Sequence, residues 1–104
     1  MSPEQAVNDA QVSLAGDVFS LGIVLYEMTT GRLPFDGKSY YDVMDAILHA
    51  TPAPIRDWRP DVPAALVRTI DAALAKKPEE RPTAAALARM LRQAAQSPAL
   101  SSLT

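Results

Sequence analysis

The chain has no cysteine among its 104 residues. Disulfides, thiolate nucleophiles and cysteine-ligated zinc are therefore excluded. A single histidine, His49, rules out a multi-histidine metal site. Positive charge is scarce: 10 Lys and Arg stand against 12 Asp and Glu, for a formal charge of −2. No basic field exists to neutralise phosphates, so a nucleic-acid partner is not expected, and a helix-turn-helix reading lacks its basic recognition helix. No uninterrupted run of about 20 apolar residues spans a bilayer. The opening Met-Ser-Pro-Glu-Gln has no cationic stretch leading into an apolar one. The expectation is a soluble, cytoplasmic segment without membrane contact. What is present is ordinary globular composition, 48% hydrophobic and 21% charged, enough for one small domain or part of a larger one.

Glycine and proline divide the chain. From Asp17 to Thr30, Val18, Phe19, Leu21, Ile23, Val24, Leu25, Tyr26 and Met28 make a segment apolar nearly all the way round. Its length favours a helix over a strand, and Gly31 suits a left-handed cap. A helix apolar on every side needs neighbours on every side. Arg32 to Lys38 reads as a turn-rich loop. Ser39 opens a second helix, with Asp42 in the position of a loose capping box, and Tyr40, Met44, Ile47 and Leu48 share one face through about Ala50. Thr51 to Pro63 holds four prolines and Trp58 and is expected to be an irregular loop. Pro63 suits the first turn of a third helix, with Leu66, Ile70 and Leu74 at spacing four, ended by Lys76-Lys77-Pro78. Thr83 caps a fourth helix to about Gln96, striped by Ala84, Leu87, Leu91 and Ala94. Residues 96–104 form a frayed tail. The expected fold is all-α: a central buried helix surrounded by three further helices and long loops.

Three local patterns go further than this. Ser2-Pro3-Glu4 resembles the Ala-Pro-Glu motif that closes the activation segment of protein kinases. Asp17-Val18-Phe19-Ser20-Leu21-Gly22, continuing through Leu25-Tyr26-Glu27-Met28 to Gly31-Arg32-Leu33-Pro34-Phe35, resembles the kinase F helix and its exit loop. Lys77-Pro78-Glu79-Glu80-Arg81-Pro82-Thr83 resembles the Asp-Pro-x-x-Arg-Pro-Thr/Ser segment before the last lobe helix. Order and spacing match as well. Over residues 1–95 the chain is similar to the C-terminal part of the large lobe of serine/threonine kinases, particularly the eukaryotic-like kinases of bacteria. Two departures stand out. Ser13-Leu14-Ala15-Gly16-Asp17 replaces the frequent Asp-x-Arg-Ser-Asp, and Lys77 stands where the family has Asp.

The resemblance implies roles. Glu4 and Arg81 are expected to pair, since a guanidinium fork grips a carboxylate through two hydrogen bonds. Asp17 is expected to accept backbone N–H bonds from the catalytic loop. Ser20 and Gly22 read as close-packing positions, Trp58 as a lid on the core, and His49 as a solvent-side residue. The second helix implies a docking surface for protein substrates, with Met1, Tyr40, Tyr41 and Met44 as candidates. The glycine-rich loop, strand lysine, catalytic-loop Asp and Asn, and Asp-Phe-Gly that kinase chemistry needs do not occur between Met1 and Thr104. ATP and Mg are thus the family's cofactors, with none expected to bind this chain, and no catalytic or metal residue is assigned. The expected partners are an N-terminal kinase portion or a protein substrate, with self-association through an uncovered apolar face. A truncated or misannotated reading frame, a degenerate gene or half of a split protein would each produce such a sequence. The alternative is a non-catalytic helical interaction module or pseudokinase remnant.

Overall fold

A computed structural model describes residues 2–96; the tail expectation for 97–104 and the docking expectation for Met1 lie outside the described residues. Five helices, with no strand among the described residues, run in the order α1 (Pro3–Thr30), α2 (Tyr40–His49), α3 (Ile55–Trp58), α4 (Ala64–Ala73) and α5 (Ala84–Ala95), with a 3₁₀ turn at Pro78–Glu80 before α5.

Helix α1 starts well before Asp17, the start expected from sequence. The Ser2 hydroxyl accepts from the Gln5 N–H at 3.1 Å, Pro3 occupies the first turn, and acidic Glu4 faces the positive end of the helix dipole. Ser-Pro-Glu thus acts here as a helix start. Nothing in residues 5–15 breaks the helix, and Gly16 is carried within it. At the other end Gly31 adopts φ +74°, and its N–H donates to Glu27 O at 2.7 Å. At 28 residues α1 is long and apolar enough to cross a bilayer by length and composition alone, a test that the core helix of a larger domain also passes.

Helices α3, α4 and α5 pack on one flank of α1. Phe19, Tyr26, Phe35, Ile55, Val62, Ile70 and Leu74 form the main core, and Val18, Ala73 and Leu87 a smaller one beside it. Helix α4 lies against α1 at Gly22, where an added Cβ would stand 2.9 Å from Ala73 Cβ and 3.0 Å from Leu74 Cδ2. Pro63 is the N-cap of α4, and Thr83 Oγ1 caps α5 by accepting from Ala86 N–H at 3.1 Å. The expected irregular stretch Thr51–Pro63 instead contains the single turn α3, which drives Ile55 fully into the core. Four prolines disguise that turn, because Pro54 sits just outside it as N-cap.

The assembly is flat. Its extents are 51 × 35 × 17 Å and its radius of gyration is 15.2 Å, against about 13 Å for a compact domain of this length. Helices α3, α4 and α5 cover one side of α1, and among the described residues no element packs on the opposite side.

The two glycines of α1 should respond with opposite sign to alanine. Gly22→Ala forces α1 and α4 apart and is expected to lose roughly 1–3 kcal/mol, outweighing the helix-propensity gain of about 1 kcal/mol. An added Cβ at Gly16 meets nothing within 4 Å, so Gly16→Ala is expected to gain roughly 0.5–1 kcal/mol. Urea denaturation of the two variants checks both signs.

Candidate functional site

The functional features gather on α1 and the segments that touch it. The residues of α1 that remain exposed include Leu14 (59%), Leu21 (43%), Val24 (49%) and Met28 (77%). At 100° per residue these four and Asp17 fall within an arc of about 80°. Val18, Phe19, Gly22 and Tyr26, which are buried, occupy the other side. Helix α1 is therefore doubly apolar, with only one face covered. Asp17 is exposed and lines a groove of about 230 Å³ between α1 and α5, whose other walls include Leu14, Leu21, Leu87 and Leu91. Burying that carboxylate would require hydrogen-bond donors to replace its water.

Arg81 directs its fork at main-chain carbonyls. Nε donates to Ala75 O (2.8 Å), Nη2 to Lys76 O (3.1 Å) and Nη1 to Ala15 O (3.1 Å). It thereby ties the end of α4 to the middle of α1. Its guanidinium carbon lies 4.7 Å from the Phe19 ring centre, Phe19 stacks on Phe35 at 5.8 Å and 16°, and Lys76 Nζ lies 4.3 Å from the Phe35 ring centre. The result is a chain of contacts running cation, ring, ring, cation. Partial burial draws both cations below their ordinary pKa, with Glu79 pulling Arg81 slightly the other way.

The expected Glu4–Arg81 ion pair is not formed. Glu4 is exposed in the first turn of α1, and Arg81 meets that helix at Ala15 and Phe19. Along a continuous helix Glu4 and Ala15 stand roughly 16 Å apart at about 1.5 Å per residue. Once residues 3–16 are helical, Glu4 is carried away and the guanidinium bonds to carbonyls instead. Among the described residues Arg59 and Asp61 form an ion pair at 3.3 Å and His49 Nε2 lies 3.9 Å from Asp45 Oδ1, both exposed. The Arg59 hydrogen bond holds the Asp61 carboxyl below its usual range.

Ser20 faces solvent and Gly22 is buried. Trp58 is part-exposed; its Nε1–H donates to the Tyr26 hydroxyl at 3.2 Å while that hydroxyl donates to Ala53 O at 2.6 Å. The Arg32 guanidinium lies 4.0 Å from the Trp58 ring centre. On α2, Tyr40 and Tyr41 are 74% and 83% exposed, and Met44 and Leu48 are exposed beside them. Among the described residues no cluster of His, Asp and Glu could hold a metal ion. Sequence reasoning missed the Tyr26–Trp58–Ala53 network and the placement of Lys76. The Lys-Lys pair after an apolar stripe was the available signal for the second, but it pointed to the cation's own helix and not to a neighbouring one.

Comparison with known proteins gives one family. The profile described as protein kinase domain matches residues 1–92. Tyrosine-protein kinase MasK of Myxococcus xanthus is 41% identical over 92 residues, covering 88% of this chain and 14% of that protein. Serine/threonine-protein kinase PkaA of Streptomyces coelicolor is 43% identical over 97 residues, covering 92% of this chain and 17% of that protein. Serine/threonine-protein kinase PrkC of Bacillus subtilis is 40% identical over 81 residues, covering 78% of this chain and 12% of that protein. The chain spans less than a fifth of the length of each.

Arg81→Ala is expected to lose roughly 2–3 kcal/mol, since it removes three hydrogen bonds made by a charged donor, whereas Glu4→Gln should stay within about 0.5 kcal/mol. A double-mutant cycle by urea denaturation should return no coupling between the two positions, and a coupling above about 1 kcal/mol would contradict this geometry.

Proposed function

This chain belongs to the protein kinase domain family, and we propose that residues 1–95 supply part of the large lobe of a serine/threonine kinase while contributing no phosphotransfer chemistry themselves. The observation that carries this reading is the second apolar face of α1, with Asp17 in a groove beside Leu14 and Leu21 and with Val24 and Met28 exposed further along the same face. A buried helix of a larger lobe has to be apolar on both sides. A carboxylate among those residues suits an inner surface whose cover brings N–H donors. On this reading the cover is the catalytic-loop portion of the same kind of domain.

The division of labour follows from the chemistry. Phosphoryl transfer depends on positioning and electrostatic stabilisation of the nucleotide, and the groups that hold ATP and Mg are absent from these 104 residues. What this segment offers is a scaffold, with Asp17 as anchor for the catalytic loop. The exposed Tyr40, Tyr41 and Met44 of α2 offer a docking surface for protein substrates. The serine/threonine preference is supported by the names of two of the three relatives above. A lobe that works beside an ATP site belongs in the cytoplasm, where ATP is supplied. Without its cover, the stripe on α1 is expected to draw copies of the chain together, because burying it is favourable whatever supplies the second surface.

A chimera tests the reading directly. Residues 1–92 would replace the matching segment in the kinase domain of PrkC, and phosphate transfer from labelled ATP to protein serine and threonine would be followed. The chimera is expected to transfer phosphate, Asp17→Ala in the chimera to lose most of that activity, and the 104-residue chain alone to show none. A folded chimera without activity, or turnover by the chain alone, would contradict the proposal.

A further inference from the structure

Helix α2 is held to the rest of the molecule in an unusual way. None of its residues is fully buried, and its inner face contributes only the half-buried Val43, Ala46 and Ile47. Ala46 and Ile47 touch the edge of the main core. Its N-terminus is closed locally, by the Ser39 hydroxyl accepting from the Asp42 N–H at 3.2 Å. Its C-terminus is closed from elsewhere. Lys76, beyond the end of α4, reaches across so that Nζ donates to Ile47 O at 2.6 Å and Ala46 O at 3.3 Å.

The two carbonyls are not equivalent. Ala46 O already accepts from the Ala50 N–H at 2.8 Å, whereas Ile47 O is among the last carbonyls of the helix, which have no partner within it. A cation there also faces the negative end of the helix dipole. Lys76 is exposed, but its head also rests 4.3 Å from the Phe35 ring centre, and Phe35 is buried and stacked on Phe19 of α1. One ammonium thus joins three parts: the segment after α4, the core aromatic stack and the end of α2.

We propose that Lys76 is the positioning residue for α2, a single charged pin that fixes where this helix, with its exposed Tyr40, Tyr41, Met44 and Leu48, stands against the lobe. Removing the charge leaves α2 attached by its shallow apolar edge alone, so it loosens while α4, α5 and the core of α1 remain packed. The inference concerns the placement of α2 and holds whether or not α2 docks a substrate. It goes beyond the lobe assignment, because it names what sets the geometry of the exposed face.

Amide hydrogen exchange of the full chain tests it, read peptide by peptide in the wild type, Lys76→Met and Lys76→Arg. Methionine keeps the apolar stem over Phe35 and deletes the donors; arginine restores a cation and donors. In Lys76→Met the amides of residues 43–50 are expected to exchange about tenfold faster or more, with those of 65–73 and 87–94 unchanged, and Lys76→Arg is expected to recover most of the protection. Two results would overturn the pin. One is unchanged exchange in 43–50. The other is an equal loss of protection in 43–50, 65–73 and 87–94, which would make Lys76 a general contributor to stability.

Discussion

The structure depends on one constraint: α1 carries two apolar faces, and the other helices of this chain cover one. On the covered side Gly22 lets α4 approach closely, and Phe19 and Tyr26 reach into the core. On the other side Leu14, Leu21, Val24 and Met28 face outward. A surface helix of a complete small domain normally shows one apolar stripe and one polar face. A stripe of this extent left in water marks a contact surface. The flat, 17 Å thin shape follows from the same cause, since a layer has no second side to close on.

Within the covered half, two cations from one short segment do much of the joining. Arg81 and Lys76 each bond the backbone of an element distant in sequence, Arg81 at Ala15 and Lys76 at Ile47. Both also lie over rings of the Phe19–Phe35 stack. The stretch after α4 therefore links α1, α2 and α4 although it has little regular structure of its own. Tyr26 plays the corresponding role at the far end of α1, holding the Pro-rich connection through Ala53 and Trp58.

Much of this was legible in the residues, for physical reasons that differ by element. Helices α4 and α5 were readable because their apolar residues recur at helical spacing and their starts carry local signals, Pro63 and Thr83. Gly31 was readable because a left-handed cap favours glycine. The family was readable because its motifs are short and local. What failed depended on distant surroundings. Ser2-Pro3-Glu4 has two uses, as a motif docked to Arg81 and as an N-cap with a first-turn acid, and helix-permissive residues 5–15 let the second prevail. The turn α3 is too short to show a period, and its one deep anchor, Ile55, looks like any apolar loop residue. The length of α1 was underestimated because the apolar residues before Asp17 are interrupted by polar ones, although none of them breaks the helix. Lys76 and Arg81 read as helix-end charges, and only the fold shows which carbonyls they meet.

The central claim is that the outer face of α1, at Val24 and Met28, has nothing packed on it among the described residues. Val24→Lys with Met28→Lys, measured by urea denaturation and sedimentation, tests it most directly. The account predicts stability within about 1 kcal/mol of wild type, as for substitutions that touch no packed neighbour, and less self-association. A loss of roughly 3 kcal/mol or more, the scale of a charge forced into a packed core, would show that this face is covered and would contradict it.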